Sequence, residues 1–184
     1  LGDMRQRALC DNHSKLFEIN EEAADKSFFS EIIASISDVK FTGSDGRYIV
    51  SRDYLTLKIW DINMEREPVK VINIHEHLRA KLCDLYENDC IFDKFECSVS
   101  GDGRYYTTGS YNSAFHIYDD QGISDTRIES SRAPPPPDQC LIGQTPPIDV
   151  QQVDFNKKTL HLSWHPQQSA VAIAGLNNLF IYSV

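Results

Sequence analysis

The residues best suited to chemistry lie between positions 76 and 96. Six acids, Glu76, Asp84, Glu87, Asp89, Asp93 and Glu96, stand there against three bases, Arg79, Lys81 and Lys94. Closely spaced carboxylates attract cationic polypeptide, and salt screens that attraction. A single exposed ion pair contributes only about 0.2–1 kcal/mol, so one carboxylate selects nothing and several must act together. From composition alone, such a stretch is a solvated acidic face. At its start, His75-Glu76-His77 is the one run suited to metal binding or acid–base work. Zinc needs three or four convergent ligands, and the helical His-Glu-x-x-His spacing is absent. The run is therefore expected to open a surface helix. There is no Gly-x-Ser-x-Gly elbow to announce a serine nucleophile. Gly101-Asp102-Gly103 lacks the lysine and following helix of a phosphate loop. No catalytic residue, cofactor or metal is expected.

The elements that must position these acids repeat themselves. Leu57-Lys58-Ile59-Trp60-Asp61 is answered about 58 residues later by Phe115-His116-Ile117-Tyr118-Asp119. Asp45-Gly46-Arg47-Tyr48 and Asp102-Gly103-Arg104-Tyr105 precede the two aromatic–Asp pairs by 15 or 16 residues. Leu1-Gly2-Asp3-Met4-Arg5 resembles the end of an earlier copy. A degenerate later copy runs from Trp164-His165-Pro166 through Ala170–Gly175 to Leu179-Phe180-Ile181-Tyr182. Repetition at this scale signals a propeller or a solenoid.

Short β-branched and aromatic runs at Val39–Phe41, Tyr48–Ser51 and Leu55–Trp60 read as strands, with Val69–Ile74 as an outer fourth. The order recurs at Cys90–Val99, Tyr105–Thr108 and Ala114–Tyr118, and again in the last 26 residues. Asp-Gly before each second strand supplies the positive φ of a tight hairpin. The fold class is thus all-β, a propeller of about three four-stranded antiparallel blades. Residues 1–12 would end one blade, 33–74 and 90–155 would form two more, and 159–184 would be a last blade lacking its outer strand. Trp60, Tyr118 and Tyr182 are expected to pack between sheets, and Asp61 and Asp119 to accept turn hydrogen bonds.

Three segments interrupt the blades. Residues 13–32, with Glu21, Glu22 and Asp25 before Phe28-Phe29, read as a loop with one helical turn. Residues 120–149 hold Pro134–Pro137 and Pro146-Pro147 and read as a surface loop. Residues 75–89 place Leu78, Leu82 and Leu85 at helical spacing before Asn88, a short helix laid on the propeller by its leucine face.

Three blades close no ring, since propellers have about four to eight. The chain also begins mid-pattern at Leu1, so it reads as a fragment of 184 residues from a larger protein. It has no signal-peptide order at its start and no apolar run of membrane-spanning length. Five cysteines without a Cys-x-x-Cys pair fit a reducing cytoplasmic or nuclear setting. A net charge of −9 argues against nucleic acid and favours a basic partner or simple solubility.

The run Leu85-Tyr86-Glu87-Asn88-Asp89-Cys90-Ile91-Phe92-Asp93-Lys94-Phe95-Glu96-Cys97 closely resembles the B-type WD-repeat regulatory subunits of protein phosphatase 2A. The likeness extends to Arg7–Glu18, Ser27–Ile33, Ser51–Leu55 and Asp154–Lys158, with departures after Glu18 and in the proline loop. The resemblance implies a seven-bladed ring, of which this chain covers roughly the C-terminal three-sevenths. It implies a non-catalytic subunit that joins a helical-repeat scaffold subunit to a metal-dependent serine/threonine phosphatase catalytic subunit and selects substrates. In the family an acidic top face captures basic segments flanking the phosphosite. The matching positions are Tyr86, Glu87, Asp89, Phe92 and Lys94. Tyr86 and Phe92 would add apolar contact around the charges, and Lys94 would order the acids or meet an acid on the partner. The family's scaffold-gripping hairpin belongs to earlier blades. Neither nucleic acid nor membrane is expected as a partner. The rival expectation is a general WD-repeat scaffold or ubiquitin-ligase adaptor without a phosphatase, because propellers host many unrelated functions.

Overall fold

The computed structural model describes residues 5, 15–19, 27–42, 46–121, 125–130 and 150–183. Most of the expected 1–12 blade end, the acids Glu21, Glu22 and Asp25, and both proline runs lie outside the described residues.

Strands β1 (Asp38–Thr42), β2 (Tyr48–Arg52), β3 (Thr56–Asp61) and β4 (Lys70–Asn73) form one antiparallel sheet in chain order. Strands β5 (Cys97–Val99), β6 (Tyr105–Gly109), β7 (Ala114–Asp119) and β8 (Asp125–Glu129) form the second. A third contains β9 (Leu162–Trp164), β10 (Ala170–Gly175) and β11 (Asn178–Ser183), with β10 in the middle. Gly46 and Gly103 take φ of 62° and 75°, as the hairpins before β2 and β6 require. The repeated aromatics occupy matching places: Trp60 lies opposite Ile49 on β2, and Tyr118 lies opposite Tyr106 on β6.

The sheets stack face to face. Val50, Leu57, Ile59, Cys97, Tyr106 and Tyr118 fill the space between the first two, and Phe115, Leu162, Val171 and Ile173 fill the space between the second and third. The first strands of successive sheets are stitched together: the Cys97 N–H donates to Asp38 Oδ2 at 2.9 Å and the Trp164 N–H to Ser98 Oγ at 2.9 Å. Trp60 Nε1 donates to Ser51 Oγ at 2.9 Å, and Asp61 accepts from the Asn63 N–H and from Arg47.

Two expectations are corrected. Cys90–Phe92 winds as a 3-10 turn and the strand begins only at Cys97. Asp89 enters the left-handed region at φ 59°, which turns the chain before it can extend. His75 does stand at the N-cap of a 3-10 stretch, Glu76–Lys81, but its side chain is fully buried rather than on the surface. It sits in the seam between the first two sheets, its Nε2 2.9 Å from Ser110 Oγ and its Nδ1 3.0 Å from Tyr54 O. Beside it, the fully buried Arg52 donates to Thr108 Oγ1 at 3.1 Å, to Thr56 O at 3.0 Å and to Asp53 O.

Candidate functional site

The leucine-spaced segment divides into a 3-10 stretch, Glu76–Lys81, and helix α2, Leu82–Glu87, counted after a one-turn α1 at Ser30–Ile33. Leu78, Leu82 and Leu85 pack with Tyr54, Leu55, Ile91, Phe95 and Tyr111 in one buried cluster. This fixes the helix on the end of the propeller where the β2–β3 and β6–β7 turns lie. The Asn88 side chain donates back to Asp84 O at 2.8 Å, closing α2. Asp89 then reverses the chain, Cys90 and Ile91 turn inward, and the five family-matched positions Tyr86, Glu87, Asp89, Phe92 and Lys94 all reach solvent.

Tyr86 and Phe92 meet, their ring centroids 5.8 Å apart. Two further aromatics join them from the segment before α1. Phe28 lies 5.6 Å and Phe29 5.9 Å from the Tyr86 ring, and 5.2 Å from each other. Exposure of Phe28, Tyr86 and Phe92 is 72%, 40% and 46%, so this is a contiguous aromatic patch rather than core. Phe28 and Phe29 stand out in the sequence as adjacent aromatics after an acidic stretch, but nothing in their spacing joins them to Tyr86.

The local charges sort by partner. Glu76 pairs with Arg79, Asp93 with Lys158, and Glu96 lies 3.0 Å from His161 Nδ1. Lys81 donates to Val150 O, and Lys94 donates to Ser35 Oγ at 2.9 Å rather than to a neighbouring acid. Asp84, Glu87 and Asp89 remain exposed, without an ion pair among the described residues. The arrangement offers apolar rings beside carboxylates that have no ion pair among the described residues, which suits a cationic peptide with apolar side chains.

No group of three or more metal-ligating side chains occurs among the described residues. Burial and the neighbouring Arg52 charge hold His75 well below the usual imidazole range, so the ring is neutral at pH 7. A cleft of about 710 Å³ between the second and third sheets is lined by Tyr105, Trp164 and Ile128, with Asp102 as its one charged group. Tyr105 and Trp164 stack there, 6.1 Å between centroids. No described helix is long and apolar enough to cross a membrane.

The stacked meanders are blades of a WD-repeat β-propeller. Among solved structures, U3-55K superposes on 82% of this chain and 36% of its own, with a TM-score of 0.50 and 13% identity. Raptor of Chaetomium thermophilum superposes on 80% of this chain and 11% of its own, with a TM-score of 0.52 and 15% identity. At such identities these likenesses speak for the fold alone. No family model matches the chain. Curated proteins match it along its whole length. It is 50% identical over 196 residues to the serine/threonine-protein phosphatase 2A regulatory subunit phr2AB of Dictyostelium discoideum. It is 51% identical over 191 residues to the beta isoform of the 55 kDa B-type regulatory subunit of phosphatase 2A from Carassius auratus. The resemblance carried by residues 85–97 therefore holds across the chain, which spans 40% and 43% of the length of these two relatives.

Proposed function

We propose that the chain is the part of a B-type phosphatase 2A regulatory subunit that presents a substrate-docking rim. The observation that carries this is the union of an exposed aromatic cluster, Phe28, Phe29, Tyr86 and Phe92, with the exposed carboxylates Asp84, Glu87 and Asp89. The relatives' names support the regulatory role. The subunit itself is non-catalytic and works within a complex of scaffold and catalytic subunits. It selects phosphoproteins whose phosphosite is flanked by basic residues.

The physical division of labour is simple. Carboxylates steer Lys- and Arg-rich segments to the rim, and the rings supply an apolar anchor from which water is excluded. Three exposed ion pairs at about 0.2–1 kcal/mol each give roughly three- to a hundred-and-fiftyfold discrimination, so the aromatic contact must supply the rest. Docking raises the concentration of the phosphosite at the catalytic subunit without touching the chemistry. Burial of Cys90 and Cys97 as free thiols, the latter pushed up to about 12 by burial, suits a reducing cytoplasmic or nuclear compartment.

The deciding experiment reverses Glu87 and Asp89 to lysine in the full-length protein. Capture of a basic-flanked phosphopeptide is expected to fall at least about tenfold. Undiminished capture rejects the rim as the docking site.

A further inference from the structure

The turn bearing Asp89, Phe92 and Lys94 is tied down through one inward-facing carboxylate. Asp93 Oδ1 and Oδ2 lie 2.6 and 2.7 Å from Lys158 Nζ, and Oδ2 also accepts from the Tyr111 hydroxyl at 2.9 Å. The Tyr111 oxygen is 2.9 Å from Tyr54 Oη and 3.1 Å from Cys90 O. A phenol has one proton and a carboxylate is the strongest acceptor in reach, so Tyr111 donates to Asp93 and Tyr54 donates to Tyr111. Burial raises the pKa of both phenols, which keeps these donors protonated at any working pH. Tyr111 and Lys158 also pair through an isolated antiparallel bridge. Three distant pieces of chain, the β2–β3 turn, the β6–β7 turn and the segment entering β9, thus converge on residue 93.

We propose that Asp93 and Lys158 are positioning residues of the docking rim. This deepens, and rests on, the docking function proposed above. Asp93, at φ −61° and ψ 126°, leaves the 3-10 turn with its side chain turned in between two exposed neighbours. With Asp93 drawn inward, Phe92 and Lys94 on either side of it face solvent, as their exposure shows. The Asp93 side chain is 12% exposed and that of Lys158 28%, so water competes poorly for the pair. Holding the turn in one orientation spares a bound peptide the cost of ordering it.

The sign of the effect separates positioning from simple charge. Neutralising Lys158 makes the rim more negative, so long-range attraction alone would tighten the hold on a cationic peptide. Loss of position loosens it. The test uses the full-length protein in its phosphatase complex and a fluorescent synthetic peptide with Lys and Arg on both sides of one phosphothreonine. Lys158→Met is expected to weaken binding about tenfold, and Lys158→Arg, which keeps the charge-assisted contact, to restore most of it. Tyr111→Phe keeps the ring but removes the donor, and is expected to weaken binding about threefold. Ile173→Ala, in the core between the second and third sheets, serves as a destabilised control away from the rim.

Binding by Lys158→Met as tight as wild type, or tighter, overturns the proposal. So does a loss in Lys158→Met and Tyr111→Phe no larger than that of Ile173→Ala at a matched fall in melting temperature. Glu87→Lys with Asp89→Lys in the same assay distinguishes the two levels. If that double variant still binds, the docking function itself falls. If it does not bind while Lys158→Met binds normally, only the positioning role falls.

Discussion

Arg52 Nη2 lies 3.3 Å from His75 Nδ1, with both side chains fully buried in the seam between the first two sheets. A permanent cation and a titratable ring at this distance cannot both be charged without penalty. Burial first, then the Arg52 charge, depresses the imidazole pKa, while burial draws the guanidinium down only to about 10 and leaves it charged. The short contacts assign the tautomer: Nδ1–H donates to Tyr54 O, and Nε2 accepts from the Ser110 hydroxyl.

This arrangement predicts an acid-sensitive seam. A histidine neutral when folded but free to protonate when unfolded gives stability that is fully present above the unfolded pKa of about 6.5 and lost as pH falls below it. His77, half-buried and also depressed chiefly by burial, acts in the same direction. Between pH 6.5 and 5, unfolding free energy is expected to fall by up to about 1.4 kcal/mol per pH unit for the fully buried His75, with a smaller contribution from the half-exposed His77. Urea titrations of the full-length protein at pH 7.5 and 5.5 measure this, and His75→Gln is expected to flatten the slope. Equal midpoints at the two pH values contradict the argument.

Arg52 itself holds three acceptors, Asp53 O, Thr56 O and Thr108 Oγ1, that have no route to water. Arg52→Met fills the volume but strands Asp53 O, while Thr56 O keeps the Asp53 N–H and the Thr108 hydroxyl keeps its bond to Glu96 O. An orphaned buried acceptor costs about 1–3 kcal/mol, so a loss of about that size is expected. Arg52→Lys retains the charge without the planar fork and is expected to lose less. Denaturant midpoints of the two variants rank them, and a stable Arg52→Met would show that the seam tolerates the gap.

Two glycines are expected to respond differently to the same substitution. A Cβ on Gly109 would lie 1.7 Å from Thr159 O, in the backbone that leads to the third sheet. Backbone cannot swing aside as a side chain does, so Gly109→Ala forces the second and third sheets apart and costs about 3 kcal/mol or more. At Gly46 a Cβ meets nothing within 4 Å, and only its φ of +62° opposes alanine. That strain costs about 1–2 kcal/mol. Thermal melts of both variants test the order, and it fails if Gly46→Ala is the more damaging.

The strands were legible because their signals are local: alternation, aromatic–Asp endings and Asp-Gly hairpins. What the sequence hid depends on partners far apart along the chain. Arg52 meets Thr108 across 56 residues, and Asp93 meets Lys158 across 65. The second pair follows no period, and although the first nearly matches the blade repeat, arginine is so seldom buried that nothing suggests a seat in the core. The same holds for Phe28 and Tyr86, whose rings meet only because α1 and α2 share one end of the propeller. Cys90-Ile91-Phe92 misled for another reason: a short apolar run fits a strand and a turn equally well, and only the backbone at Asp89 decides.

Cys83 offers a chemical probe of the rim. It is exposed on α2, three residues before Tyr86 and four before Glu87, and so shares their helix face. Cys90 and Cys97 are buried, and burial raises both thiol pKa values. With Cys10 and Cys140 replaced by serine, a bulky maleimide is expected to label Cys83 first and to weaken phosphopeptide capture at least about tenfold. Peptide added beforehand should slow the labelling. Full capture by labelled protein would place the docking surface elsewhere.

The two halves of the rim should separate in their response to salt. Glu87→Gln with Asp89→Asn removes charge but little volume, so binding should weaken mainly at low ionic strength and the salt dependence should flatten. Phe28→Ala and Phe92→Ala remove ring area beside Tyr86 and leave the carboxylates in place. Losing one ring from a desolvated interface costs about 1–3 kcal/mol, roughly five- to a hundredfold in Kd, with the salt dependence unchanged. Peptide titrations at roughly 50 and 300 mM salt, on either side of physiological screening, distinguish the two classes. A ring variant that flattens the salt dependence as the charge variant does would mean that the aromatics only support the acids, with no contact of their own.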